Sequence, residues 1–149
     1  MQRKIIPDVV QDQDLSFASP QSTVREAAQA MARRRISALM VLDRDRLVGI
    51  FTERDLAAKV VAMGLDPDTT LVSAVMTPDP DTLAPDDTAH QALTMMRAAG
   101  YRHLPVVDRS RVVGMVSVRD LYDSALLQLE DDIRNRDAFI HGVGYGLGN

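Results

Sequence analysis

The strongest constraint on the fold is a repeat within the chain. The motif GIFTERDL (residues 49–56) returns sixty-five residues later as GMVSVRDL (residues 114–121). When the chain is shifted against itself by 65 positions, residues 8–56 align with residues 73–121 without a gap, and 16 of the 49 aligned pairs are identical. Repetition in one register over such a length is typical of duplicated structural units that pack against each other. We therefore expect two copies of one folding unit.

Each copy has the pattern of a helix, two strands and a second helix. In the first copy, apolar residues recur at helical spacing after Ser22, which we expect to cap a helix that ends near Arg34. In the second copy, Asp87 is the expected cap and Gly100 the expected stop. Two short β-prone runs then follow in each copy, separated by three polar residues, and predict a hairpin. The sequence thus predicts an α+β fold.

Composition excludes several classes of function. The chain has 149 residues and is 46% hydrophobic, which is enough to bury a core. Its net charge of −4 argues against a nucleic-acid partner, and no apolar stretch reaches membrane-spanning length. Without cysteine there is no disulfide, thiolate metal site or cysteine nucleophile. The three histidines lack the spacing of a metal site and no catalytic motif is present, so we expect a cytoplasmic protein that is not an enzyme and needs no metal.

The repeated motif has the chemistry of a nucleotide site. A strand containing Gly49 that turns into a helix at Thr52 presents backbone N–H groups, which suit a phosphate. Asp55 lies one helical turn further, where its carboxylate could accept hydrogen bonds from both hydroxyls of a ribose. Ser117 and Asp120 repeat the arrangement at the expected start of the last helix. The same Thr-x-x-Asp pattern is also a helix capping box, and both roles stay open because a cap can exchange partners.

The doubled unit, its closing motifs and the phrase RHLPVVD (residues 102–108) resemble a stand-alone bacterial tandem pair of cystathionine-β-synthase (CBS) domains. The resemblance implies an α+β fold of two CBS domains packed about a pseudo-twofold axis. We place the domains at residues 7–64 and 73–127, joined by a connector at residues 65–72. Residues 128–149 are expected to extend a helix to about Ile140 and then to form a disordered, glycine-rich tail.

The resemblance also implies two clefts, which in this family commonly hold AMP, ATP, NAD or S-adenosylmethionine. Residues expected in the first cleft are Thr52, Asp55, Arg102, His103 and Arg119, with Asp79, Asp81 and Thr82 near its base. Residues expected in the second cleft are Ser117, Asp120, Ser37, Ala38 and Arg54, with Ser16 near its base. The first cleft would then have three cationic side chains and the second only one. We therefore expect the first cleft to bind phosphorylated ligands more tightly.

Two functions remain open after this reading. The first is a regulatory module that senses an adenine nucleotide and signals to an unidentified partner protein. The second is an interaction module that dimerises without a ligand. A homodimer is expected in both cases, because the long C-terminal helix has apolar residues at spacings near 3.5, among them Tyr122, Leu126, Leu129 and Ile133.

Overall fold

The structure is a computed structural model that describes the backbone of residues 2–147 and the side chains of residues 2–140. The first unit consists of β1 (Phe17–Ala18), α1 (Val24–Arg34), β2 (Ala38–Asp43), β3 (Arg46–Thr52) and α2 (Glu53–Asp55), which continues as a π-helical segment (Leu56–Val61). The second unit consists of α3 (Val72–Val75), β4 (Thr77–Pro78), α4 (Ala89–Ala99), β5 (His103–Asp108), β6 (Arg111–Ser117) and α5 (Val118–Leu147). A turn at Ile5–Val9 precedes both units, with Ile6 in an extended conformation and the backbone N–H groups of Val9 and Val10 bonded to the carbonyls of Lys4 and Ile5. The predicted α+β fold, with a helix, two strands and a helix in each copy, is confirmed.

The predicted helix caps, Ser22 and Asp87, are each wrong by one residue. Thr23 caps α1 and Thr88 caps α4, and each threonine side chain accepts the backbone N–H three residues further on. The Glu or Gln at that later position bonds back to the threonine N–H, which completes a capping box. Asp87 instead accepts the Ala84 N–H at 2.8 Å in the turn before the helix. The reciprocal pair therefore decides which of two adjacent polar residues becomes the cap.

The strands form a four-stranded sheet in the order β1-β2-β3-β4 and a two-stranded sheet of β5 and β6. β2 and β3 form one antiparallel hairpin, and β5 and β6 form the other. β1 runs parallel to β2, whereas β4 pairs antiparallel with β3. Because β4 follows the connector in the chain, the start of the second unit completes the sheet of the first.

The edge of β6 is hydrogen-bonded by a side chain, whereas the equivalent edge of β3 is paired with strand β4. Gln13 Nε2 donates to the Met115 carbonyl at 2.9 Å, and the Met115 N–H donates to Gln13 Oε1 at 3.0 Å. Gln13 is the counterpart of Pro78 in the 65-residue shift, and Pro78 lies in β4 opposite Gly49 of β3. One primary amide thus supplies the donor and the acceptor that a backbone strand supplies in the other unit.

Each unit has its own hydrophobic core, and the two units exchange chain segments. The first core contains Val24, Ala27, Met31, Leu39, Val41, Phe51, Val60, Val72 and Val75. The second core contains Ile5, Val10, Leu83, Ala92, Met96, Leu104, Val106, Val116 and Leu121. The segment before the first unit therefore packs into the second core, and α3 packs into the first. This exchange ties the two units together without a long linker.

The last helix is longer than predicted. α5 runs from Val118 to Leu147, past residue 140, and the final two residues of the predicted tail lie outside the described part of the chain. Its apolar side chains at Tyr122, Leu126, Leu129 and Ile133 are 51% to 65% exposed. None of the helices among the described residues is both long and apolar enough to cross a membrane.

Candidate functional site

The first motif forms a helix cap at the junction of β3 and α2. Thr52 Oγ1 accepts the Asp55 N–H at 3.2 Å, and Asp55 Oδ2 accepts the Thr52 N–H at 3.0 Å and the Thr52 hydroxyl at 3.1 Å. The other carboxylate oxygen, Oδ1, lies 3.0 Å from Lys59 Nζ. Lys59 also donates to the Val75 carbonyl at 3.1 Å. Asp55 is buried, and both of its carboxylate oxygens are engaged within the protein.

The second motif forms the same cap at the start of α5. Asp120 Oδ2 accepts the Ser117 N–H at 2.8 Å, and Ser117 Oγ accepts the Asp120 N–H at 3.1 Å. Asp120 is only half-buried. Within the described part of the chain, Asp120 has no basic side chain at salt-bridge distance. The repeated pattern therefore forms a capping box in both copies. The two carboxylates differ because Asp55 also forms an ion pair, with Lys59.

A cleft of about 530 Å³ lies at the first motif. Of the residues expected there, it is lined by Thr52, Asp55, Asp81, Arg102 and His103. Asp81 Oδ2 accepts a hydrogen bond from the Tyr101 hydroxyl at 2.9 Å, and this bond raises the pKa of Tyr101. The first cleft is thus built from the strand and helix of one unit and from the residues that precede β5 in the other.

A second cleft of about 830 Å³ lies at the second motif. All but one of the residues expected there line it, namely Ser16, Ser37, Ala38, Ser117 and Asp120. Arg102, His103 and Ser37 line both clefts and form a shared wall between them, and Glu53 also lines both. Occupation of one cleft therefore places a ligand beside side chains that also face the other.

Two arginines line the opposite cleft from the one in which they were expected. Arg119 lines the second cleft instead of the first, and Arg54 lines the first instead of the second. Each arginine directly precedes a motif aspartate in the same helical turn. It therefore lines the same cleft as that aspartate. Two other residues expected at the base of the first cleft, Asp79 and Thr82, are exposed and line neither cleft.

The arginines are also distributed between the clefts differently from the expectation. The first cleft has the guanidinium groups of Arg54 and Arg102, whereas the second has those of Arg35, Arg102 and Arg119. Arg35 was not among the residues expected in either cleft; it ends α1 in the left-handed conformation at φ 54° and ψ 45°. Its counterpart in the second unit is Gly100, the predicted stop of α4, which ends that helix with φ 76°. The absence of glycine after α1 is the signal that could have drawn attention to this arginine.

The shared wall contains a hydrogen bond between the two units. His103 Nε2 lies 3.0 Å from Ser37 Oγ. Burial lowers the pKa of His103 below its ordinary value, and the nearby carboxylates of Asp120 and Glu53 oppose this effect only in part. The neutral imidazole can accept a hydrogen bond from the Ser37 hydroxyl, while a protonated ring would add a positive charge facing both clefts. Among the described residues, no group of three or more acidic or histidine side chains is arranged to hold a metal ion.

Comparisons with known proteins agree with the two-unit architecture. The CBS domain family matches the chain twice, at residues 4–62 and 72–126. The CBS domain-containing protein CBSCBSPB2 of Arabidopsis thaliana is 36% identical over 132 residues, which cover 86% of this chain and 25% of that relative. The chain therefore spans about a quarter of the length of this curated relative.

Solved structures show the same fold. A CBS-domain protein from Burkholderia ambifaria matches with a TM-score of 0.79 and 30% identity, covering 83% of this chain and 94% of that one. A CBS domain protein from Pyrobaculum aerophilum, solved in complex with AMP, matches with a TM-score of 0.69 and 28% identity, covering 76% of this chain and 86% of that one. Both repeats, their hairpins and their closing motifs fall within the family matches. The chain therefore belongs to the CBS domain family and carries two copies of the domain in tandem.

Proposed function

We propose that the chain is a regulatory module that binds an adenosyl ligand, such as AMP, ATP, NAD or S-adenosylmethionine, and does not catalyse a reaction. CBS domain pairs are generally regulatory and bind adenosyl ligands. The observation that carries the proposal is the presence of two clefts, each with a Ser/Thr-x-x-Asp cap and arginine side chains. The AMP complex of the Pyrobaculum aerophilum protein supports the same class of ligand.

Each kind of side chain has a separate role in this proposal. A motif carboxylate, Asp55 or Asp120, accepts hydrogen bonds from the ribose hydroxyls, which are neutral donors. Arginines bind the phosphate, because guanidinium groups form paired, charge-assisted hydrogen bonds with phosphate oxygens. The motif hydroxyl and the N–H groups of the cap complete the set of donors. The half-open clefts leave room for the base between the two units.

The proposed signal is a change in how the two units sit against each other. Both clefts contain residues from both units, so a ligand contacts the two units together. Since the wall of Ser37, Arg102 and His103 faces both clefts, a ligand in either cleft alters the groups that hold the units in place. A partner protein that recognises one arrangement would respond to the ligand through that difference in affinity. The identity of this partner, the homodimer and the cytoplasmic location stay predictions.

A ligand screen tests the proposal directly. A ligand that binds the native state raises its apparent stability, so the melting temperature should rise with the concentration of the true ligand. We expect at least one of AMP, ATP, NAD and S-adenosylmethionine to stabilise the protein, and guanosine monophosphate and ribose 5-phosphate to serve as controls for the base. Equal shifts with the controls, or no shift with any adenosyl compound, would contradict an adenosyl site.

A second candidate function is an interaction module that binds partners without a physiological ligand. The exposed apolar residues of α5 favour it, because monomeric proteins rarely leave a long apolar stripe in water. Measuring association state and stability with and without adenosyl ligands distinguishes the two candidate functions. An interaction module would keep its association state and stability in every adenosyl ligand, whereas a sensor would change at least one of them.

A further inference from the structure

The two motif carboxylates, Asp55 and Asp120, differ in whether a lysine forms an ion pair with them. Lys59 lies one helical turn after Asp55, and its ammonium group bonds both the Asp55 carboxylate and the Val75 carbonyl. The Lys59 side chain is 44% exposed, but its ammonium group is anchored at two points. A ribose entering the first cleft must share Asp55 with this cation or displace it.

The second motif has no equivalent of this lysine. Ser124 occupies the corresponding position after Asp120, and a serine side chain is too short to form an ion pair there. Ser124 is only 4% exposed, and its hydroxyl has no hydrogen-bond partner among the described residues. Asp120 Oδ1 is therefore free of an ion pair within the described chain and is available to accept hydrogen bonds from a ligand, while Oδ2 holds the cap.

A further pair of equivalent positions differs in charge. Arg35 lines the second cleft, and its counterpart Gly100 lines the first. Each cleft is lined by three carboxylate side chains, which are Glu53, Asp55 and Asp81 in the first and Asp14, Glu53 and Asp120 in the second. The second cleft therefore has one more guanidinium group against the same number of carboxylates, which favours a phosphorylated ligand there.

We infer that the second cleft is the high-affinity ligand site and that Lys59 weakens the first cleft by holding Asp55. This inference rests on the proposed adenosyl function and assigns it to one cleft. In the second cleft, Asp120 accepts from the ribose, and Arg35 and Arg119 bind the phosphate. The first cleft binds the same ligand more weakly, by roughly tenfold or more, because the ligand must compete with an ion pair and meets fewer cations.

Calorimetric titration with AMP tests the assignment through a matched pair of variants. Asp120→Asn keeps an acceptor for the cap N–H but removes the charge, and it should abolish the tight site or weaken it at least tenfold. Asp55→Asn makes the same change in the first cleft and should leave the tight site within about twofold of the wild type. Lys59→Met keeps the aliphatic stem and frees Asp55, so a second site should become measurable or tighten about fivefold. Circular dichroism of each variant confirms that it is folded.

The outcomes separate this inference from the proposed function. Loss of the tight site in Asp55→Asn but not in Asp120→Asn would overturn the inference and leave an adenosyl sensor in place. Two equal sites in the wild type, or no effect of Lys59→Met on the first cleft, would also overturn it. No binding of AMP, ATP, NAD or S-adenosylmethionine to the wild type would remove the proposed function and the inference together. Adenosine, which lacks the phosphate, should bind the two clefts with a smaller difference than AMP.

Discussion

At the scale of single residues, the two motif glycines face different neighbours. A Cβ atom on Gly49 would lie 3.0 Å from the backbone oxygen of Thr77 and even closer to the Met76 side chain. A Cβ atom on Gly114 would lie 2.9 Å from Gln13 Oε1, the end of a flexible side chain. The first glycine therefore permits the close approach of a strand, whereas the second permits the approach of one amide.

Substitution of these glycines should have unequal effects on stability. Gly49→Ala should lower the free energy of unfolding by about 1–3 kcal/mol, because β4 cannot retreat without breaking its pairing with β3. Gly114→Ala should cost less than about 1 kcal/mol, since Gln13 can move and its partners can bond to water. Urea denaturation of both variants measures the difference. Equal losses would mean that the side-chain contact at Gly114 is as rigid as the backbone contact at Gly49.

His103 should make the stability of the protein depend on pH. Its pKa is lowered in the folded state, so the unfolded chain binds the proton more readily. The contribution of neutral His103 to the free energy of unfolding is fully present above the unfolded pKa of about 6.5. This contribution is lost as the pH falls from there through the lower pKa of the folded state. The melting temperature should fall on acidification below about pH 6.5, and His103→Gln should reduce that fall. His90→Gln, at an exposed histidine, is the control and should keep the wild-type pH dependence.

At the scale of elements, α5 has an apolar side that the described chain leaves exposed. We predict that a second copy covers it, so that light scattering reports twice the 16.4 kDa chain mass. Leu129→Asp or Ile133→Asp should shift the protein toward the monomer, because a buried carboxylate without a partner opposes association. Asn135→Asp introduces the same side chain at an exposed position on the opposite face of the helix and should leave the mass unchanged. A monodisperse monomer at high micromolar concentration would exclude the homodimer.

At the scale of the whole molecule, the exchange of segments couples the stability of the two units. Ile5 is fully buried in the second core although it precedes the first unit in the chain. Ile5→Ala should lower the free energy of unfolding by about 2–5 kcal/mol through loss of apolar contact and the cavity left behind. Val61→Ala, at a residue that is 71% exposed, should have little effect.

Hydrogen exchange would show which strands lose protection in the Ile5→Ala variant. The amides of β5 and β6 should exchange faster in the variant, because those strands pack on the core that contains Ile5. The amides of β2 and β3 should change less. A larger loss of protection in β2 and β3 would show that the N-terminal segment supports the first core instead of the second.

Local patterns were predictable from the sequence because their physical causes are local. The hairpins follow from β-prone runs on either side of a turn, and the end of α4 follows from a glycine that accepts a left-handed conformation. The capping boxes at Thr52 and Ser117 follow from residues three apart in the chain. The caps of α1 and α4 lie one residue later than their local pattern predicts, because two adjacent polar residues compete and only the reciprocal bond selects between them.

The sequence by itself determined that there are two equivalent units, their α+β order and the motifs that would face a ligand, because a repeat and its periodicities are properties of the chain. Only the tertiary structure decided which cleft Arg35, Arg54 and Arg119 line, because both clefts are built from segments that are distant in the chain. It also decided that Ile5 and α3 exchange cores, because burial depends on packing between distant segments. The ion pair of Lys59 with Asp55 has i,i+4 spacing, yet its importance appears only beside Ser124, when the two folded clefts are compared.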